Sequence, residues 1–429
     1  MKKLIQIAIT STLVVFASYG QQEKGIIGST NWLTNWTEFK PGKVEYNDSN
    51  SILVGNISTN TLLSKRNTYL LQGNVYVLNN AILTIEPGTI IKGDFATKGT
   101  LIITKGAQII ADGKETDPIV FTSNQSPKKS GDWGGIVIFG DAPINKFGGV
   151  SSLAYELDPT KNTYGGINAQ ANSGILRYVR IEYAGFKNKG FETTNCLTLA
   201  GVGNKTILSN VMCSFSENDS FGIFGGDLVL SKLVSLKAND DDFDVTQGAQ
   251  VVIDNSIAIR NSYIYSPTAL SRCLEVDSYV KKDDMDISKK PTSFKGTNLT
   301  FLNDSNSLSE DISSGLVKES VYIGEGALVS LKKSVLSGFK PAVILDKNIE
   351  VNSTNFNKIH FVDMFFNNCK GNIFTENNSN NEDLEDWYAN SSFFNLCSQG
   401  ENSETFIDFK NPKYPDYRVQ LSKITASNK

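Results

Sequence analysis

A length of 429 residues allows several domains, but 41 basic against 45 acidic side chains leave a formal charge of −4 and no electrostatic footprint for nucleic acid. Hydrophobic residues make up 40% of the chain, enough to fill a narrow core, while a single histidine, His360, and five cysteines without a CxxC pair argue against a structural zinc site. Beyond the N-terminal region no stretch approaches the roughly 20 apolar residues of a membrane-crossing helix.

The chain opens with Lys2 and Lys3, an apolar run from Leu4 to Phe16, and small Ser18 and Gly20, the pattern of a secretory signal peptide over residues 1–20. It implies a mature chain starting near Gln21 and a secreted or cell-envelope address; no cysteine follows the cleavage point to carry a lipid. Residues 21–50, with Trp32, Trp36 and Phe39 among polar neighbours, read as a leader that covers the edge of the first coil.

From 51 to 346 short β-branched runs recur between glycine corners. Leu83-Thr84-Ile85 and Leu101-Ile102-Ile103 stand 18 residues apart, as do Gly88 and Gly106, which predicts that the chain returns to one place after each circuit. Strands at a fixed period without helical patterning predict an all-β solenoid, a parallel β-helix of about ten coils and a rod on the order of 50 Å long. Glu86-Pro87-Gly88-Thr89 has the Pro and Gly of a type II turn. Alternation puts Val179, Ile181, Leu197, Leu199, Val229, Val234, Leu236, Val251, Ile253, Ile257 and Ile259 into the core. Segments 141–172, 278–295 and 304–318, rich in Gly, Asn, Ser and Asp, are expected loops. After Ile349 the pattern loosens, so residues 347–429 read as a C-terminal cover and polar tail, with a short helix from Glu382 to Phe394 that sets Leu384, Trp387 and Tyr388 on one side.

The one dense acidic group is Asp219, Asp240, Asp241, Asp242, Asp244, Glu275 and Asp277. The 22-residue offset between Asp219 and Asp241 places them on neighbouring coils, about 5 Å apart. Carboxylates so close raise one another's pKa unless a cation intervenes, and calcium, which takes six to eight oxygen ligands, suits Asp219, Asp241, Asp244, Glu275 and Asp277 as a metal set. As catalytic candidates, Asp219, Asp241, Asp242 and Arg272, with Arg260 as a second arginine, fit either proton abstraction from an acidic polysaccharide or a carboxylate pair hydrolysing a glycosidic bond. The bland alternative is that Asp and Asn crowd β-helix corners for their backbone tolerance. Trp133, Phe221 and Phe243 are candidate sugar platforms, weighed against packing; the 22-residue spacing of the two phenylalanines predicts a stacked core pair. Cys196 and Cys213 read as small core residues about one coil apart, and Cys369 and Cys397 as a candidate bridge. No GxSxG, Walker-type or dinucleotide glycine motif is present in a strand-to-helix context.

Together LTIEPGTIIKGDFATKGTLIITKGAQIIADGKETDPIVFTSNQ, GDWGGIVIFGDAPIN, LRYVRIEYAG, LTLAGVG, NDSFGIFGG, NDDDFDV and LEVDS resemble the secreted right-handed parallel β-helix proteins of Bacteroidetes-type bacteria, over roughly Ile52 to Asp304. The resemblance implies a right-handed coil, export, and an extracellular or envelope address, for a family without a settled activity. No C-terminal sorting domain is evident after Tyr414. Pectate lyases and polygalacturonases share the broader fold, but the paired aspartates and Gly-His-Gly of polygalacturonases have only Asp241-Asp242 as a counterpart. The expectation is an exported β-helix whose outer face binds a glycan or serves as an envelope scaffold. The rival is a calcium-assisted polysaccharide lyase or glycoside hydrolase, and carboxylates converging in an open groove beside Arg272 would favour that rival.

Overall fold

The computed structural model describes residues 23–78, 80–266, 270–376, 382–420 and 422. The expected signal peptide, its cleavage point near Gln21 and the end of the polar tail lie outside them. Among the described residues 29 strands join one continuous parallel sheet, which winds as a right-handed β-helix with three faces. A representative circuit runs through Val234–Leu236 on the first face, Phe243–Thr246 on the second and Gln250–Asp254 on the third, then returns to the first at Ile257–Arg260. Val234 and Ile257 are register partners, so this circuit takes 23 residues.

The 18-residue interval is therefore not the coil period. Leu83 pairs with Ile109 on the third face, whereas Leu101 pairs with Ile136 on the second. Three short strands of one composition follow each other in every circuit, so similar strings from different faces mimic a repeat. Gly88 and Gly106, both at positive φ, turn two different corners. The corner from the third face to the first is a single left-handed residue in coil after coil, at Asn210, Lys232, Asn255, Asn298 and Lys333. Asn accepts that conformation readily; for the lysines the stack imposes it.

Inward side chains such as Val179, Ile181, Leu197, Leu199, Val251 and Ile253 form the continuous core. The expected inward set slips elsewhere. Val229 points out and is 61% exposed between buried Leu228 and Leu230. On the first face Val234, Leu236, Ile257 and Ile259 also point out, while Ser235 and Ala258 point in. Those outward residues are still buried, because the leader covers them. Rather than folding over the first coil, the leader descends the outside of the first face. Lys24 Nζ donates to the carbonyls of Met364 and Phe394 at 3.2 and 3.1 Å, the Gly25 amide to Lys333 O at 2.8 Å, and the Ile27 amide to Asn255 Oδ1 at 2.9 Å. Trp36 then packs on Tyr178, and the Asn50 amide reaches Thr68 O at 2.9 Å in the first coils. An antiparallel pair, Phe406–Asp408 with Asp416–Val419, completes this cover through Phe406, Tyr417 and Val419. A face buried on both sides explains why its strands place Val234, Leu236, Ile257 and Ile259 outward, with the small residues Ser235 and Ala258 inward.

The boundary expected at Asp346 also moves. Strands Ile359–Val362, Phe365–Asn367, Ile373–Thr375 and Leu396–Ser398 continue the stack. The helix Glu382–Ala389 is present, with Leu384 and Tyr388 buried in the main core. Segment 304–318, expected as loop, holds a short helix, Leu308–Ser313. The loop between the strands Gly135–Phe139 and Gly174–Glu182 folds back over the second face, where Ile144, Leu153, Tyr155 and Tyr164 cover Ile102, Val137 and Ala200. Past Phe221 the loop still covers one edge of that face, through Ile144 at Gly225 and Tyr164 at Gln247, and the acidic residues line the part it leaves open.

Candidate functional site

Three successive strands of the second face, Phe221–Phe224, Phe243–Thr246 and Leu274–Val276, carry the site. Their inward phenylalanines lock the register: Phe221 and Phe243 are both fully buried and stack with centroids 5.1 Å apart at 11°. With Phe221 and Phe243 pointing in, the next residues point out, so Gly222, Asp244 and Glu275 form one outward row. At the start of the row a Cβ on Gly222 would lie 1.8 Å from Asn195 Nδ2, so glycine is needed for that close approach. Just before each strand the corner supplies Asp219, then Asp240 and Asp241, then Arg272.

The sequence-derived residues Asp219, Asp241, Asp244, Glu275 and Asp277, together with Asp240 and Arg272, line one open groove of about 450 Å³. Carboxylate oxygens of Asp219, Asp240 and Asp241 lie within 4.8 Å of one another. Backbone donors hold two of these groups in place: the Asp241 amide donates to Asp219 Oδ1 at 3.2 Å, and the Arg272 amide to Asp241 Oδ1 at 2.6 Å. Burial, reinforced by neighbouring carboxylates, pushes Asp219, Asp241 and Asp244 well above the ordinary carboxylate range. The same causes, burial first and Glu275 second, bring Asp240 to about 6 and Asp277 to about 8.

Arg272 is the cation of the groove, but it is tied. Its guanidinium pairs with Glu275 and, at 2.8 Å, with Glu319, and it lies 4.3 Å from the centroid of the Tyr322 ring. Burial works against its charge, yet Glu275, Asp241 and Glu319 more than compensate, so it stays protonated. It is a charge anchor for Glu275 rather than a base.

Two expected catalytic groups are placed elsewhere. Asp242 is fully buried, accepts from Ser235 Oγ and pairs with Arg260 at 3.1 Å. Arg260 also donates to the carbonyls of Asp240 and Arg272 at 2.8 and 3.0 Å, so this pair clasps the corner from inside and neither group reaches the groove. The aromatic candidates are corrected by burial. Trp133 is fully buried, stacks on Phe121 at 6.4 Å and donates its indole N–H to Glu182 O at 2.8 Å. With Phe221 and Phe243 also closed in the core, none of the three presents a face to a sugar. All five cysteines are free: Cys196, Cys213, Cys273 and Cys369 are buried and Cys397 is exposed, so no bridge joins Cys369 to Cys397.

Thr246 and Tyr279 were missed as groove residues. Thr246 was within reach of the two-residue strand period, since it follows Asp244 by two positions, whereas Tyr279 lies beyond the strand Leu274–Val276 and no period points to it. Thr246 Oγ1 is buried without a hydrogen-bond partner. A hard oxygen-binding cation fits this donor set of clustered carboxylates, mutual repulsion and an orphaned hydroxyl.

The family model described as a pectate-lyase-like β-helix domain matches residues 55–406. No curated protein matches the chain. Among solved structures, the alginate lyase from Paenibacillus sp. str. FPU-7 is similar at 9% identity and a TM-score of 0.29, over 75% of this chain and 91% of that one. The Dettilon tailspike protein (gp208) is similar at 8% identity and a TM-score of 0.31, over 74% of this chain and 62% of that one. Neither likeness bears on the chemistry of the groove.

Proposed function

We propose, from the premise that this chain belongs to the pectate-lyase-like β-helix domain family, that it is an exported protein that engages a polysaccharide along the acidic groove. Calcium would be held by Asp219, Asp240 and Asp241, with Thr246 and Asp244 beside them. The observation that carries the reading is the convergence of carboxylates from successive coils into one open groove around Arg272. A purely architectural scaffold has no use for that convergence, because each buried carboxylate is held against its own preference for water. When bound, calcium neutralises the groove and offers coordination positions to glycan oxygens. The protein's own residues do the rest: amides of Asp241 and Arg272 fix the carboxylates, and Arg272 fixes Glu275. A secreted or cell-envelope location follows from the reading of residues 1–20.

A second reading, calcium-assisted elimination or hydrolysis of a glycosidic bond, is favoured by the same convergence of carboxylates in an open groove beside Arg272 and by one further feature. With Asp277 pushed up to about 8 and Asp240 to about 6, the groove near neutral pH holds one carboxyl that keeps its proton and another that gives it up. Acid–base cleavage of a glycoside needs that division of labour.

The test is calorimetric titration of the protein with calcium, followed by incubation with acidic and neutral polysaccharides with and without EDTA. Calcium binding that is lost in Asp241→Asn, together with calcium-dependent glycan retention, is the expected result. Product release would select hydrolysis or elimination over binding alone. Absence of calcium binding and of any glycan retention would refute the proposal.

A further inference from the structure

A second cavity, of about 240 Å³, opens beside the strand Thr100–Ile103, nearer the N-terminal end of the same face. Leu101, Ile136, Leu197 and Phe221 are successive register partners, so Thr100 stands three coil rises, about 14 Å, from the Asp219 corner, while the cavity's other wall, at Glu192 and Thr194, comes within one rise of it. Three segments that are remote in sequence build it: the turn bearing Lys98, the loop bearing Glu156, and the loop bearing Phe186, Asn188, Phe191 and Glu192.

Its chemistry is mixed in a specific way. Phe191 is 46% exposed at the cavity, a large apolar ring left open to solvent, and Phe186 lines the wall. The Lys98 ammonium lies 3.8 Å from the centroid of Phe95 and 4.9 Å from that of Phe186. It donates to the backbone carbonyls of Gly131 and Asp132 at 3.3 and 3.4 Å and makes no ion pair among the described residues. Glu156, which accepts from Asn188 Nδ2, and Glu192 supply acceptors to the same cavity.

We propose that this cavity is a glycan site separate from the acidic groove, and that it takes one neutral sugar ring. A pyranose presents an apolar C–H face suited to a phenyl ring and an edge of hydroxyls that both donate and accept. Lys98 gives to that edge, and the two glutamates receive from it. A ligand of either charge meets a like charge here: a cation meets Lys98, and an anion meets Glu156 and Glu192. The volume lies below the roughly 300–1,000 Å³ of sites for drug-sized ligands, which matches a single ring rather than a length of chain.

The full chain is titrated in EDTA with cellohexaose, laminarihexaose, maltohexaose and xylohexaose, and with hexagalacturonate as the charged control, by ligand-observed NMR. At least one neutral probe binds. Phe191→Ala, at an exposed position whose loss leaves the core intact, weakens it about tenfold, and Lys98→Met weakens it by a similar factor. Asp241→Asn leaves it unchanged. The proposal is overturned if no neutral probe binds, if hexagalacturonate binds more tightly than every neutral probe, or if Phe191→Ala and Lys98→Met both leave binding unaltered. Because EDTA and Asp241→Asn act on the acidic groove alone, failure of either site is seen separately from failure of the other.

Discussion

Replacing Lys24 by methionine tests whether the leader is pinned by one buried charge. Lys24 and Asp363 have side-chain exposures of 3% and 6% with Nζ to Oδ1 at 2.6 Å, and the ammonium also serves the Met364 and Phe394 carbonyls. Burial lowers the Lys24 pKa even against the pull of Asp363, so water's loss is only partly repaid. Removing the cation leaves Asp363 buried without a partner charge, a loss of about 3–5 kcal/mol for such pairs. The leader is attached along one flank, so the loss falls first on its docking and not on the coils. At about 3 kcal/mol, and 1.36 kcal/mol per decade, hydrogen exchange at Gly25 and Ile26 should accelerate by about a hundredfold. Those amides bond to Lys333 O and Thr300 Oγ1 and report the dock directly. Adding Asp363→Leu to Lys24→Met should recover at least half of the lost protection, since a buried pair replaced by apolar groups is often neutral. Exchange within about threefold of wild type in Lys24→Met would refute the reasoning.

Raised carboxylate pKa values predict a pH dependence of definite sign. Asp240 and Asp277 bind protons more tightly folded than unfolded, so their contribution to stability is fully present below about pH 4 and is lost as pH rises through about 6 and about 8. In EDTA the melting temperature should therefore fall across that window, and calcium should flatten the slope by replacing the protons; a slope of opposite sign would contradict the groove's electrostatics. Phe243→Ala removes a ring packed between Phe221 and Phe301 and should cost about 3–5 kcal/mol in urea unfolding. A cost below about 1 kcal/mol would mean that the ring is not core.

The solenoid was legible because a strand that stacks on its own kind must repeat its side-chain logic, as the Phe221 and Phe243 strings do. Identity of face was not legible: LTI and LII differ only at the middle residue, Thr84 against Ile102, yet one belongs to the third face and the other to the second. Inward and outward failed for Val234 and Ile257 for a related reason. Once a leader covers the outside, apolar residues are needed there too, so the pattern no longer tells inside from outside: Ser235 points in between outward Val234 and Leu236, and Ala258 points in between outward Ile257 and Ile259. Most of the groove was readable from the 22-residue offset. Asp242 was the exception, because it sits at the corner just before the strand Phe243–Thr246, where the two-residue alternation does not hold, and its carboxylate turns inward onto Arg260.

The leader's path has a consequence for the order of events in folding. Gly25 and Ile26 bond to Lys333 and Thr300, residues made late in synthesis, so the earliest segment of the described chain has no place to bind until nearly the whole rod has been wound. Until then Val234, Ile257 and Val335 face water as a long greasy flank, and partners that hold unfolded chains have that flank to grip. Closure of this strap marks the moment at which the molecule ceases to be a client and becomes a finished particle.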